Sequence, residues 1–123
     1  MNHSAIQQLI RETLAGYRYE PRPHGNTVGV PWSADKVYSY VERLRVCLVE
    51  PYLQRFELRE TYPQCVAEVT AYADYWVVAE SAGYVEWFDP AAGEFGLGQR
   101  VEGHSVPVSI GVRGDLVGVF CAM

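Results

Sequence analysis

Glu50-Pro51 divides the chain into two parts with different hydrophobic periods. Proline has no N–H and pushes the preceding residue out of helical angles, so a helix reaching this point ends no later than Glu50. Upstream, Ile6, Leu9, Ile10, Thr13 and Leu14 recur at helical spacing. They predict an amphipathic helix over 4–15, with Ser4 as cap, Gln7 at the reciprocal capping-box position and Gly16 as a left-handed stop. Val37, Tyr40, Val41 and Leu44 predict a second helix, capped by Ser33 and running to about residues 44–47. Between the two, Pro21, Pro23, Gly25, Gly29 and Pro31 predict an extended loop over 17–31.

Downstream the period falls to about two. From Tyr52 to Glu60, Gln54, Phe56 and Leu58 alternate with Arg55, Glu57 and Arg59, which predicts a half-buried strand. Breaks at Tyr62-Pro63, Ala73-Asp74 and Ala82-Gly83 then delimit strands over 64–72, 75–80 and 84–88. Asp89-Pro90-Ala91-Ala92-Gly93 predicts a tight turn into a short strand over 94–97. Val106 to Met123 reads as a last hairpin turning at Arg113-Gly114-Asp115. Two N-terminal helices followed by an antiparallel β-meander sheet make an α+β fold.

With 123 residues, the expectation is a single domain over 1–123. Its 49% hydrophobic and 20% charged residues fit a packed core rather than disorder. The three cysteines, Cys47, Cys65 and Cys121, form no C-x-x-C pair and sit among apolar neighbours. They read as small buried side chains in a reducing compartment. With no basic leader ahead of an apolar segment and no membrane-length apolar run, the expectation is a soluble cytoplasmic protein.

The net charge of −5 is unevenly spread. Residues 1–60 carry eight basic and seven acidic side chains, whereas residues 61–123 carry only Arg100 and Arg113 against eight acids. That field opposes nucleic acid and anionic lipid and favours a cationic protein partner.

Two-residue loops at Ala73-Asp74 and Ala82-Gly83 place Tyr72 opposite Tyr75 and Ser81 opposite Tyr84. One face then carries Cys65, Ala67, Val69, Ala71, Trp76, Val78, Val85 and Trp87 as core. The other mixes Glu68, Tyr72, Tyr75, Tyr84, Glu86 and Phe88, a set either covered by a helix or open for recognition. Asp89 and Glu94 extend it into the turn.

Catalytic patterns are sparse. His24 and His104 are the serious candidate bases, yet no cysteine or serine motif accompanies them. No histidine or cysteine spacing suits a metal, and the glycines of 93–98 match no phosphate-binding loop, so no cofactor is expected. Glu80 and Glu86 could form a carboxylate pair across a hairpin, though acids at strand ends are ordinarily solvated. A pocket near His24, Trp32 and His104 would instead make the chain a small-molecule-binding domain or small enzyme. Homo-oligomeric assembly is a third reading, and the sequence leaves the oligomeric state open.

One stretch carries a family resemblance. Tyr75-Trp76-Val77-Val78-Ala79-Glu80, then Tyr84-Val85-Glu86-Trp87-Phe88-Asp89-Pro90, then Gly93-Glu94-Phe95-Gly96-Leu97 resembles the strand, strand and turn signature of small bacterial SUKH-like domains. Many of those domains act as immunity proteins beside toxins. The resemblance implies a non-enzymatic protein-binding module, an inhibitor of a basic toxin or other cationic partner. The mixed sheet face and its turn, not the resemblance, supply the expected contacts, with Glu68, Glu86, Asp89 and Glu94 giving charge and Tyr72, Tyr75, Tyr84 and Phe88 giving contact area.

Overall fold

A computed structural model describes residues 2–18, 33–66 and 70–123. His24, Trp32 and Glu68 lie outside the described residues.

The first helix, α1 (His3–Ala15), turns Ile6, Ile10 and Leu14 inward, one residue per turn of a single stripe. Its cap is Asn2, whose side chain accepts from Ala5 N at 2.9 Å, rather than Ser4. Gly16 closes it with φ −93°, so the stop is not left-handed. Helix α2 (Ala34–Cys47) is capped by Ser33, which accepts from Lys36 N at 3.2 Å, and buries Val37, Val41 and Leu44.

No loop separates α2 from β1 (Leu48–Leu58). The strand begins before Pro51, where a start at Tyr52 was expected. Proline is tolerated because the ladder with the next strand is irregular between Leu48 and Tyr52, and an irregularity is where a strand can spare an N–H.

The strand expected over 64–72 is replaced, where it is described, by the one-turn helix α3 (Tyr62–Cys65). Pro63 suits a first helical turn, and the Gln64 side chain accepts from the N–H groups of Glu60 and Thr61 at 3.0 and 3.1 Å. Ala73-Asp74 is no turn either. It lies inside β2 (Tyr72–Ser81), which runs antiparallel to β1 with Phe56 opposite Ala73.

The Ala82-Gly83 turn forms as expected, with Ser81 opposite Tyr84 at the start of β3 (Tyr84–Asp89). The Asp89 to Gly93 turn also forms. Asp89 Oδ1 accepts from Ala91 N, Gly93 has φ +67°, and β4 (Glu94–Gln99) follows. The final hairpin does not: Val108–Gly114 is β5, and Leu116–Cys121 is a short helix, α4, with Asp115 as its cap. The expected turn residue Asp115 accepts from Gly118 N at 3.2 Å instead of closing a hairpin.

The fold is α+β, helices first and a five-stranded meander after them. The meander closes into a barrel in the order β1-β2-β3-β4-β5. In an up-and-down meander with an odd number of strands, the first and last run the same way. The closing pair β1·β5 is therefore parallel, and it is short, with Glu57 opposite Val108 and Leu58 opposite Ser109.

A bulge decides which side chains fill the barrel. From the Ala82-Gly83 turn the ladder runs regularly to Ala79 opposite Glu86, but Val77 then faces Trp87, leaving Val78 extra. That single residue moves Tyr75 and Val77 onto the Trp87 side and Trp76 onto the Phe88 side. The expected faces are corrected accordingly. Phe56, Tyr75, Val77, Val85 and Trp87 pack inside the barrel. Val78, Ala79, Phe88, Phe95 and Leu97 pack outside it, against α1, α2 and α4. Cys47 and Cys121 are half-buried, whereas Cys65 on α3 is exposed and not the buried thiol expected.

Candidate functional site

The barrel interior is filled, and β4 makes the space. A Cβ on Gly96 would lie 1.9 Å from Trp87 Cζ2, and one on Gly98 would lie 2.7 Å from Phe56 Cε1. The two glycines are where the interior rings of Trp87 and Phe56 meet the wall. Tyr75 and Trp87 stack at 4.0 Å between centroids, 14° from parallel.

Each end of this core is closed by an arginine, a glutamate and a tyrosine. At one end Arg113 is held by Glu60, Nε to Oε1 at 2.8 Å and Nη2 to Oε2 at 3.3 Å, and Nη2 donates to Tyr75 Oη at 2.9 Å. Asp89 Oδ2 lies 3.9 Å from Nη1, and the guanidinium carbon sits 4.8 Å from the Trp87 ring centre. The bond to Glu60 keeps the guanidinium protonated more firmly than usual, while burial pushes the Tyr75 phenol up against the opposing pull of Arg113.

At the other end the Tyr52 hydroxyl donates to Glu80, and Arg100 Nη2 donates to both Tyr52 Oη and Glu80 Oε1 at 2.8 Å. Burial, then the bond to Glu80, raises the Tyr52 phenol; the same bond lowers the Glu80 carboxyl. Glu80 is thus committed as an ionised partner, which is the opposite of what a general acid needs. Glu80 and Glu86 stand on opposite sides of the sheet and form no catalytic pair.

A shallow cleft of about 250 Å³ opens beside β1, lined by Glu57, Tyr72, Gly103, His104, Ser105 and Val106. Glu57 is engaged by Arg59 at 3.3 Å, and His104 Nδ1 is 3.8 Å from Glu57 Oε2, outside hydrogen-bond reach. Among the described residues no three histidine, cysteine or acidic side chains come together as a metal site would require.

The eight expected contact residues are not brought to one exposed face. Tyr75 is inside the barrel, and Glu86 and Phe88 lie beneath the helices. Tyr84 is half-buried against the same helical layer. Tyr72, Asp89 and Glu94 remain accessible to differing degrees. They gather at one end of the barrel, where β1, β3 and β5 finish and β2 and β4 begin. Glu60, Tyr62 and Asp74 share that rim, Tyr62 being 76% and Tyr72 54% exposed. Glu94 faces Asp89 across the turn and forms no ion pair among the described residues.

Sequence reasoning missed Tyr52, Glu57, Glu60 and the closing arginines. A signal existed: Arg100 and Arg113 are the only two cations of the acidic half, and both close the barrel. No family model, curated protein or solved structure matches the chain.

Proposed function

We propose that this chain is a non-enzymatic protein-binding module, an immunity-type inhibitor that engages a basic toxin or another cationic protein. The observation that supports it is the acidic and aromatic rim formed by Tyr62, Tyr72, Asp74, Asp89 and Glu94 at one end of the barrel. The two cations of the acidic half are bound to carboxylates, Asp74 is paired with Arg55 and Asp89 lies 3.9 Å from Arg113, whereas Glu94 forms no ion pair among the described residues and is left for a basic surface. Large amphipathic rings beside carboxylates give contact area and steering for a basic surface. Among the described residues, Phe56, Tyr75, Val77, Val85 and Trp87 pack the barrel interior, which weighs in the same direction.

Capture from the source cell with the tagged protein tests the reading. It requires a basic protein that is retained, is released as salt rises, and is toxic when produced without this chain. Glu94→Lys, which would sit opposite Asp89 without harming the fold, and Tyr72→Ala should each weaken retention by about tenfold or more. Retention of no basic protein, or retention indifferent to both changes, sinks it.

The cleft holding Glu57, Tyr72 and His104 favours a second reading, a site for a small polar ligand. A ligand that raises the melting temperature of the wild type and not of His104→Ala would establish it.

A further inference from the structure

Glu86 stands in the middle of β3 with neither carboxyl oxygen reaching water or a hydrogen-bond partner. On the sheet its neighbours are apolar, Ala79 on β2 and Leu97 on β4. From above, α1 brings Ile6, Ile10 and Leu14 to the same cluster, and α2 brings Val37, Val41 and Leu44. The titratable groups facing it among the described residues are on α4. They are the Asp115 carboxylate at its start and the Cys121 thiol at its end, which Lys36 on α2 also influences. Among the described residues no cation is bonded to it. Burial chiefly, with Asp115 adding repulsion, keeps the group protonated far above the usual carboxyl range.

A carboxyl in such a place ionises only if water reaches it. Of the elements around it, the sheet is hydrogen-bonded on both sides of β3, whereas α4 is six residues long and has no independent stability at that length. Its attachment is the apolar burial of Leu116, Val117, Val119 and Phe120, with one side-chain cap from Asp115 to Gly118 N.

We propose that α4 is a pH-gated lid, the ionisation of Glu86 being coupled to the lifting of α4 from the sheet. The lifted state hydrates the Glu86 carboxylate, separates it from Asp115, and uncovers Phe88, Phe95 and Leu97 beside it. Four buried apolar side chains keep this state a minor one. Its population rises about tenfold per pH unit from the ordinary carboxyl range up to the point where the buried group itself titrates. The inference is independent of what the rim binds.

Hydrogen exchange read peptide by peptide, with the intrinsic base-catalysed rate divided out, tests it on the full chain between about pH 5.5 and 8.5. The α4 peptide should open more often than the β2 and β3 peptides. The ratio of its opening constant in the wild type to that in Glu86→Gln should grow with pH, by about tenfold per unit at most. A single opening constant shared by α4 and the barrel overturns the lid, as does a ratio that stays flat with pH. Should the amide fail to fold, Glu86→Leu, which removes the charge and the polar atoms together, supplies the same comparison.

Discussion

Burying a carboxyl group without a partner and bonding one to an arginine have opposite consequences for stability against pH. Glu80 is held below the usual carboxyl range by Tyr52 and Arg100, so its contribution is present above the unfolded value and fades as pH falls through the folded one. Glu86 is raised, so the native state holds its proton more tightly than the unfolded chain does. Its contribution is complete below the unfolded value and declines as pH rises above it. Glu86→Gln should therefore flatten the alkaline side of the stability profile. Relative to wild type, the variant gains between pH 5 and 8 with a limiting slope of about 1.4 kcal/mol per pH unit. Urea midpoints across that range check it, and a parallel pair of profiles contradicts the burial argument. Gly96 is the other single residue on which much depends. Its absent side chain leaves the space that Trp87 occupies, so Gly96→Ala should cost roughly 2–4 kcal/mol, read as a lowered denaturation midpoint. Neither residue was legible in its role. Glu86 belongs to a period-two run that looks identical whether its face meets water or helices, and Gly96 reads as an ordinary turn or bulge glycine.

At the scale of elements, what was legible is what depends on neighbours in sequence. Ser33, the α2 stripe and the two tight β-turns appear where local capping and turn chemistry put them. Ser33→Ala should cost about 1 kcal/mol by freeing the Lys36 N–H, measurable by chemical denaturation. What failed depends on distant partners. Ala73-Asp74 has turn composition but is straightened by pairing with Phe56 and Arg55 on β1, where Asp74 also accepts from Arg55 Nε at 3.2 Å. The Val78 bulge leaves no mark in the alternation of Trp76 to Glu80, yet it exchanges the two faces of everything before it in β2. Val106 to Met123 reads as a hairpin because Arg113-Gly114-Asp115 has turn composition. Asp115 at the cap position, with its side chain on Gly118 N, decides for a helix. The candidate surface was displaced for the same reason: helices cover the face that alternation marked as mixed. Of its described residues, Tyr72, Asp89 and Glu94 remain on the accessible rim.

For the whole molecule the controlling feature is how a five-stranded meander is closed. Four of its five seams are antiparallel ladders, and the fifth, between β1 and β5, is the parallel pairing at Glu57 and Leu58. Flanking bonds from Glu57 N to Pro107 O at 3.0 Å and from Arg59 N to Ser109 O at 2.9 Å extend it slightly. Arg113 belongs to β5 and Glu60 follows β1, so their paired hydrogen bonds cross this seam where its backbone bonding ends. Arg100, by contrast, ties the end of β4 to Tyr52 and Glu80 on strands that already share a long ladder. Two arginines of similar geometry therefore carry different loads. Arg113→Met leaves Glu60 and Asp89 facing a stacked aromatic pair with no cation between them. Because the side chain is 30% exposed, water recovers part of the loss, and the cost should be about 1–3 kcal/mol. The distinguishing sign is where the molecule opens. In Arg113→Met, amide exchange should accelerate at Glu57 and Arg59 more than along β2 and β3, whereas Arg100→Met should lower stability without singling out those amides. Uniform acceleration in both variants would mean that the backbone pairs alone hold the seam, and that the rim at this end of the barrel owes its shape to something other than Arg113.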